Sequence, residues 1–504
     1  MCYSPLIYSD EIRILILQPG KESDGLRASL RHIRLPSSEN SHATNLPWNY
    51  DFERISKVVY KKKPKRIEFE KVEETSSVFR CDRAPYQANE YDALSYAWGD
   101  PTKTHTIHVN GETTGIGANL HTVLLRLRCR DAPRVVWVDA ICIDQGNVKE
   151  RNHQVHMMQR IYASASSVIV SLGDVTANGL RALELAIRLF GPRDSGAPNR
   201  LLGYPEADLQ GISHLFMKPW WKRIWIVQEV VAARQIVVWC GPKVIPWDCL
   251  AHLCNEIRVQ EFQPSPKAAF LHSSQYQNFS ALDNFRKNRT MPLSHLLQCT
   301  RGYQATDPRD KLYALLGMAS DVSYDELVPD YTQSVKSVYL NLVSFMVSRL
   351  HNLDVISSGR LSSQIGTTPS WLPDWRVSQD LKPLNSEELE GHYYKAAGHT
   401  SSVVDMTVFP STLKIEGIVA DTVDLFGGTV SLAHESLSTI RRWHYITKQN
   451  INVNCSVRNL FWQTIIAGKD NMGRRASPVF GEHFDTFMRG PAVDFLLQKE
   501  GAWA

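Results

Sequence analysis

A chain of 504 residues, 43% hydrophobic and 21% charged, has a globular composition and enough length for two to four domains. Its net charge of +4 argues against a protein that coats nucleic acid. No run approaches the roughly 18 apolar residues of a membrane span.

The nine cysteines form no Cys-x-x-Cys pair and no regular framework, so reduced thiols in a cytosolic protein are expected. The first apolar run, Ile12 to Leu17, is short and interrupted by Arg13. It reads as a strand rather than a signal peptide. A second strand is expected over 29–35, forming a hairpin or an added edge with the first. Residues 37–88 then lapse into Ser, Asn, Pro and charge, the pattern of a long insertion. The cluster Lys61, Lys62, Lys63, Lys65 and Arg66 inside it reads as a solvated loop, with nuclear import as the alternative.

From Tyr91 the pattern sharpens. YDALSYAWGD reads as a buried strand closed by Gly99-Asp100-Pro101. A strand over 106–111 follows, and Asn119 is placed to cap a helix carrying Leu120, Val123, Leu124 and Leu127. The apolar run 134–143 has the continuity of a parallel strand covered on both faces, with Asp139 and Asp144 at its carboxyl end. Ligands of open α/β sheets bind outside those ends, which makes the two acids site candidates; turn and cap duty accounts for them equally well. An amphipathic helix over 150–165, a strand at 167–172 and a helical insertion at 180–217 continue the alternation, which calls for right-handed crossovers and a parallel sheet. His153 and His156 lack a third ligand on their helix, so no metal is expected.

Read as one helix, the segment Trp220 to Glu229 puts Trp221, Trp225, Gln228 and Ala232 on one face, dense in indole and ending beside a carboxylate. Glu229 is then expected either to pair with an arginine such as Arg223 or to open onto a cleft with a raised pKa. A strand at 235–241 closes this region. Further on, Asp307-Pro308-Arg309-Asp310 has the form of a capped helix start and reads as architecture. Val335, Val338, Tyr339, Leu342 and Met346 mark an amphipathic helix, and Ser370 to Trp375 an aromatic loop. The tail carries a strand candidate at 412–420 and a helix candidate near 436–447.

Several of these segments, in this order, resemble the fungal heterokaryon incompatibility (HET) family: YDALSYAWGD, VWVDAICIDQ, HQVHMMQRIYASAS, VIVSLGD and WWKRIWIVQE, then DPRDKLYALLG, Pro329 to Tyr331 and SWLPDW. The resemblance implies a part in fungal non-self recognition and in the growth arrest or cell death that follows fusion of incompatible cells. The element order also resembles a TIR domain, with Leu94-Ser95-Tyr96 at the first strand and Trp225 to Glu229 at the helix whose glutamate cleaves NAD in the hydrolytic members of that group.

The expected architecture is therefore an α/β, flavodoxin/TIR-like, mainly parallel sheet flanked by helices over 1–245, a mostly helical companion region over 246–380 and a small mixed C-terminal region over 381–504. On the TIR comparison Glu229 would be the catalytic carboxylate, stabilising an oxocarbenium-like ribosyl centre as neutral nicotinamide leaves. Trp98 or Trp225 would stack on a ring, and Ser95, Asp100 or Asp144 would contact ribose hydroxyls. NAD would be a substrate; no cofactor is expected. The second reading is a non-catalytic module that relays incompatibility by assembly, with a second copy or an incompatibility protein as partner. Binding of nucleic acid through the lysine cluster is disfavoured, because no aromatic residues interleave with it.

Overall fold

The computed structural model describes residues 2–36, 86, 89–190, 206–259, 274–351, 353–357, 369, 371–376, 403–405, 409 and 412–416. The basic cluster at 61–66 and the helix candidate near 436–447 lie outside them. The chain divides into two compact units, one of residues 1–259 with 273–335 and the other of 260–272 with 336–504.

In the first unit the elements run β1 (Glu11–Leu17), β2 (Arg27–Arg34), β3 (Asp92–Tyr96), β4 (His105–Val109), β5 (Glu112–Ile116), α1 (Ala118–Leu127), β6 (Arg134–Trp137), α2 (Asp139–Cys142), α3 (Val148–Ser164), β7 (Ser167–Ser171), α4 (Ala177–Phe190), α5 (Glu206–Phe216), a 3-10 turn (Pro219–Lys222), α6 (Ile226–Ala232), β8 (Ile236–Cys240), β9 (Lys243–Pro246), α7 (Trp247–Val259), α8 (Ser274–Asn288), α9 (Leu293–Cys299) and α10 (Asp310–Tyr313). Among the described residues nine strands form one sheet in the order β5-β4-β2-β1-β6-β3-β7-β8-β9.

Its core is the parallel run β6-β3-β7-β8. Numbered by their own sequence, these strands stand 2-1-3-4, the order of flavodoxin-type doubly wound sheets. Helical connections between successive core strands make this possible, since parallel neighbours need long crossovers. All five residues of β3 and all five of β7 are buried, as expected of strands covered on both faces.

Of the two expectations for the first two strands, the hairpin is the one found. β1 is not an added edge: it pairs antiparallel with β2 on one side and with β6 on the other. Interior placement explains why six of its seven residues are buried. Buried Arg13 is matched by Glu150 of α3, Nη1 to Oε1 at 2.5 Å and Nη2 to Oε2 at 3.0 Å, and donates further to the Ser4 carbonyl at 2.6 Å. A buried guanidinium is tolerated only with partners of this quality.

Three other local expectations are corrected. The run 134–143 leaves the sheet at Trp137, and Asp139 opens the short helix α2. Asn119 does not cap α1: the N-cap is Gly117, and Asn119 Nδ2 donates to the Ala97 carbonyl at 3.0 Å. That amide crowds Gly99, whose φ of +73° and lack of a Cβ let the chain turn there after β3. The described cysteines are free thiols at Cys2, Cys142, Cys240, Cys249, Cys254 and Cys299, whereas Cys129 is disulfide-bonded.

In the second unit α11 (Val335–Ser348) buries Val338, Tyr339, Leu342, Val343, Met346 and Val347, the stripe its spacing calls for. Trp375 meets Tyr339 edge-on at 4.9 Å. A short helix, α12 (Asp354–Ser357), and an antiparallel pair, β10 (Val404–Asp405) with β11 (Lys414–Ile415), complete its described elements. Among the described residues no helix is long and apolar enough to cross a membrane.

Candidate functional site: a sealed carboxylate network

The stretch from Pro219 to Ala232 is not one helix. Pro219, which fixes its own φ, opens a single 3-10 turn that ends at Lys222; Arg223 is extended, and α6 starts at Ile226. Trp221 and Trp225 therefore do not share a face. Trp221 enters an aromatic cluster with Phe216 at 4.7 Å, Trp220 at 4.7 Å, Phe279 at 5.6 Å and Trp247 at 5.8 Å, and its Nε1 donates to the Leu215 carbonyl at 2.8 Å. Trp225 instead turns toward Asp310, donating Nε1 to Oδ2 at 3.0 Å.

Glu229 lies in the first turn of α6, whose seven residues are all buried. Its Oε2 accepts from the Ser95 hydroxyl of β3, and Ser95 Oγ in turn accepts from Trp220 Nε1 at 2.8 Å. Its Oε1 faces Arg223 Nη2 at 3.4 Å. Glu229 is 1% exposed, as are Ser95 and Trp220, whereas the Arg223 side chain keeps 20%. Of the two expectations for Glu229, pairing with Arg223 is the one found: both oxygens point at internal donors, and of these four residues Arg223 is the one that meets solvent.

Burial raises the pKa of Glu229, against the opposing pull of Arg223 and the Ser95 hydrogen bond. Burial works against the charge of Arg223 too, but Glu229 and Asp139 outweigh it and raise its pKa. Asp139 keeps part of its surface exposed, yet burial raises it as well, against Arg223 and the Trp98 indole. Tyr96 and Tyr162 line the same locality, both pushed well above the ordinary phenol range first by burial. A guanidinium between two carboxylates is electrostatically coherent, and the donors run in one direction, Trp220 to Ser95 to Glu229.

The other sequence-predicted site residues scatter. Trp98, 47% exposed, lies beyond β3 and donates Nε1 to Asp139 Oδ2 at 3.1 Å. Asp100 is exposed and accepts from Thr102 N at 2.8 Å and Oγ1 at 2.6 Å, hydrogen bonds that hold its carboxyl below the usual range. Asp144 organises the turn before α3, accepting from Gly146 N at 3.1 Å while its own N donates to Glu150 at 2.8 Å. The structure therefore joins Ser95 to Glu229 and brings Trp98 to Asp139, while Asp100 and Asp144 serve turns. Trp220 carries no site signal in the sequence beyond its place after Pro219, and Asp139 none beyond being one of two acids after a strand.

A second cluster grows from the DPRD and PDY segments. Asp310, 9% exposed, accepts from Trp225 and, at 2.5 Å, from Tyr331 Oη. Arg309 is forked by Asp307 at 2.9 and 2.7 Å and donates to the carbonyls of Tyr331 at 2.8 Å and Gln333 at 2.6 Å. Arg151 of α3 lies over the Tyr331 ring at 4.1 Å. Burial lifts Asp310 to about 6 and lowers Lys311 to about 8. Among the described residues no group of three or more His, Cys, Asp or Glu side chains could hold a metal ion.

Residues 91–229 match the family model described as heterokaryon incompatibility protein (HET), a span that begins one residue before β3 and ends on Glu229. The chain is also similar to heterokaryon incompatibility protein 6, OR allele, of Neurospora crassa, 26% identical over 363 residues that cover 56% of this chain and 53% of the relative. It thus spans about half the length of the curated relative it matches. No solved structure matches it significantly. The strand that opens the parallel core and the carboxylate bonded to it are the two ends of one matched domain: residues 91–229 are a heterokaryon incompatibility (HET) domain, and the chain is a HET domain protein.

Proposed function

We propose that this protein acts in fungal heterokaryon incompatibility as a relay of non-self recognition, and that Glu229 serves there as a structural keystone rather than an open catalytic centre. The observation that carries this reading is the burial of Glu229, with both carboxylate oxygens turned to internal donors. A group that must face a ribosyl cation needs a path to it. The test is expression of wild type and Glu229→Gln in a host in which the protein arrests growth. Arrest that persists in the folded variant supports the relay, through contacts with a second copy or an incompatibility protein; arrest abolished by this one exchange overturns it.

A second reading, TIR-like hydrolysis of NAD, is favoured by one arrangement. The strand order 2-1-3-4 brings Ser95, Trp98 and Asp139 to the carboxyl ends of β3 and β6, where doubly wound sheets take ligands, with Glu229 bonded to the first of them. On this reading Arg223 and the turn that carries it must move before a dinucleotide reaches Glu229. Free nicotinamide from the assembled protein, lost in Glu229→Gln, is its signature.

A further inference from the structure

Arg223 and Ile224, which follow the 3-10 turn, are held by one neighbouring segment. Ile224 N donates to the Gln304 carbonyl at 2.9 Å, Gln304 N donates back to the Lys222 carbonyl, and Arg223 and Gln304 form an isolated parallel bridge. Two residues later Trp225 donates to Asp310. Glu229 N donates to the Trp225 carbonyl at 3.2 Å, so the residue that Asp310 holds is also the first support of the turn carrying Glu229. Lys311 braces the same segment, its Nζ donating to the carbonyls of Arg301, at 2.9 Å, and Tyr303.

The holding segment is itself tied to the α/β core at a second point. Tyr331, which donates to Asp310, receives the Arg151 guanidinium on its ring, and its N donates to Asn152 Oδ1 at 3.0 Å. At the far end of α6, Arg286 donates to the carbonyls of Val230 and Ala233, both at 2.8 Å. Cations there satisfy the last carbonyls and complement the helix dipole. A seven-residue helix is marginal alone, so these end contacts add to the burial of all seven residues in holding it in place.

We propose that Asp310 is a latch: by holding Trp225 it keeps the Arg223 turn closed over Glu229 and Ser95, and its release opens that turn while the sheet stays folded. The residues Gln304 to Tyr331 are then the controlling part of the first unit, and whatever binds them in place of Trp225 exposes the carboxylate network. The latch governs access and not chemistry, so it operates under either reading of Glu229.

Hydrogen exchange of the full chain at neutral pH tests it, with Trp225→Phe as the variant, because that exchange removes the indole donor and keeps a ring in place. The expected result is exchange about tenfold or more faster at the amides of Ile224, Val227 and Glu229, with β3 and β7 unchanged, as for local rather than global opening. Asp310→Ala should give the same pattern. Unchanged exchange at Ile224, Val227 and Glu229, or an equal rise in β3 and β7, overturns the latch.

Discussion

Ser95 of β3 donates its hydroxyl to Glu229 of α6, 134 residues further along the chain, and takes a hydrogen bond from Trp220 through the same oxygen. One small polar side chain thereby satisfies a buried carboxylate and a buried indole at once. Ser95→Ala strands both, and an unsatisfied buried group costs about 1–3 kcal/mol. The expected outcome is a lower urea midpoint for unfolding of the first unit, with Ser95→Thr recovering most of the loss.

Glu229→Ala removes the counter-charge nearest Arg223 and leaves a largely buried guanidinium beside Asp139 alone. Breaking a buried pair from one side costs about 3–5 kcal/mol, whereas replacing both partners by apolar groups is often far milder. A double-mutant cycle of Glu229→Ala with Arg223→Met should therefore show strong coupling in unfolding free energy. Additive effects would mean that the 3.4 Å contact carries little.

Trp221 is buried against Phe216, Trp220, Trp247 and Phe279, with its N–H satisfied by a backbone carbonyl. Trp221→Ala should cost about 3–5 kcal/mol through the cavity it leaves. Trp98→Ala, on a half-exposed ring, should change stability by about 0.5 kcal/mol or less. Thermal unfolding of the two variants side by side checks the contrast.

Much of this was legible in the sequence, and the rest was not for identifiable reasons. Continuous apolar runs revealed β3, β6 and β7, because a strand covered on both faces has no polar side to confuse the pattern. Periodicity over Trp220 to Glu229 misled, because Pro219 and a tight turn override a helical spacing too short to enforce itself. The placement of β1 between β2 and β6, and the return of Gln304 and Asp310 onto the Arg223 turn, depend on contacts between distant segments that local pattern does not encode. Glu229 stands out in the sequence as a carboxylate beside indoles and Ser95 through the TIR resemblance; their hydrogen bond, and its burial, depend on contacts across 134 residues.

Asp310 makes the stability of this unit depend on pH. Burial raises its pKa from 3.8 to about 6, reinforced by Asp307 and opposed by the hydrogen bonds from Tyr331 and Trp225 and by Arg151. A folded-state pKa above the unfolded one means that the protonated form favours the fold. The contribution is complete below 3.8 and is lost as pH rises through about 6. At about 1.4 kcal/mol per pH unit the rise amounts to about 3 kcal/mol. Relative to Asp310→Asn, wild type should lose most of that between pH 4 and 7, and parallel curves for the two would refute the assignment. Lys311, lowered to about 8, acts in the alkaline range and does not overlap this window.

A structural role for the enclosed Glu229 carboxylate requires that it do no chemistry. The most direct test is incubation of the full chain with NAD, from dilute solution to concentrations at which copies associate, while free nicotinamide is followed for wild type and Glu229→Gln. No release above background is predicted from either protein at any concentration; release by wild type that disappears in a folded Glu229→Gln would contradict the structural role.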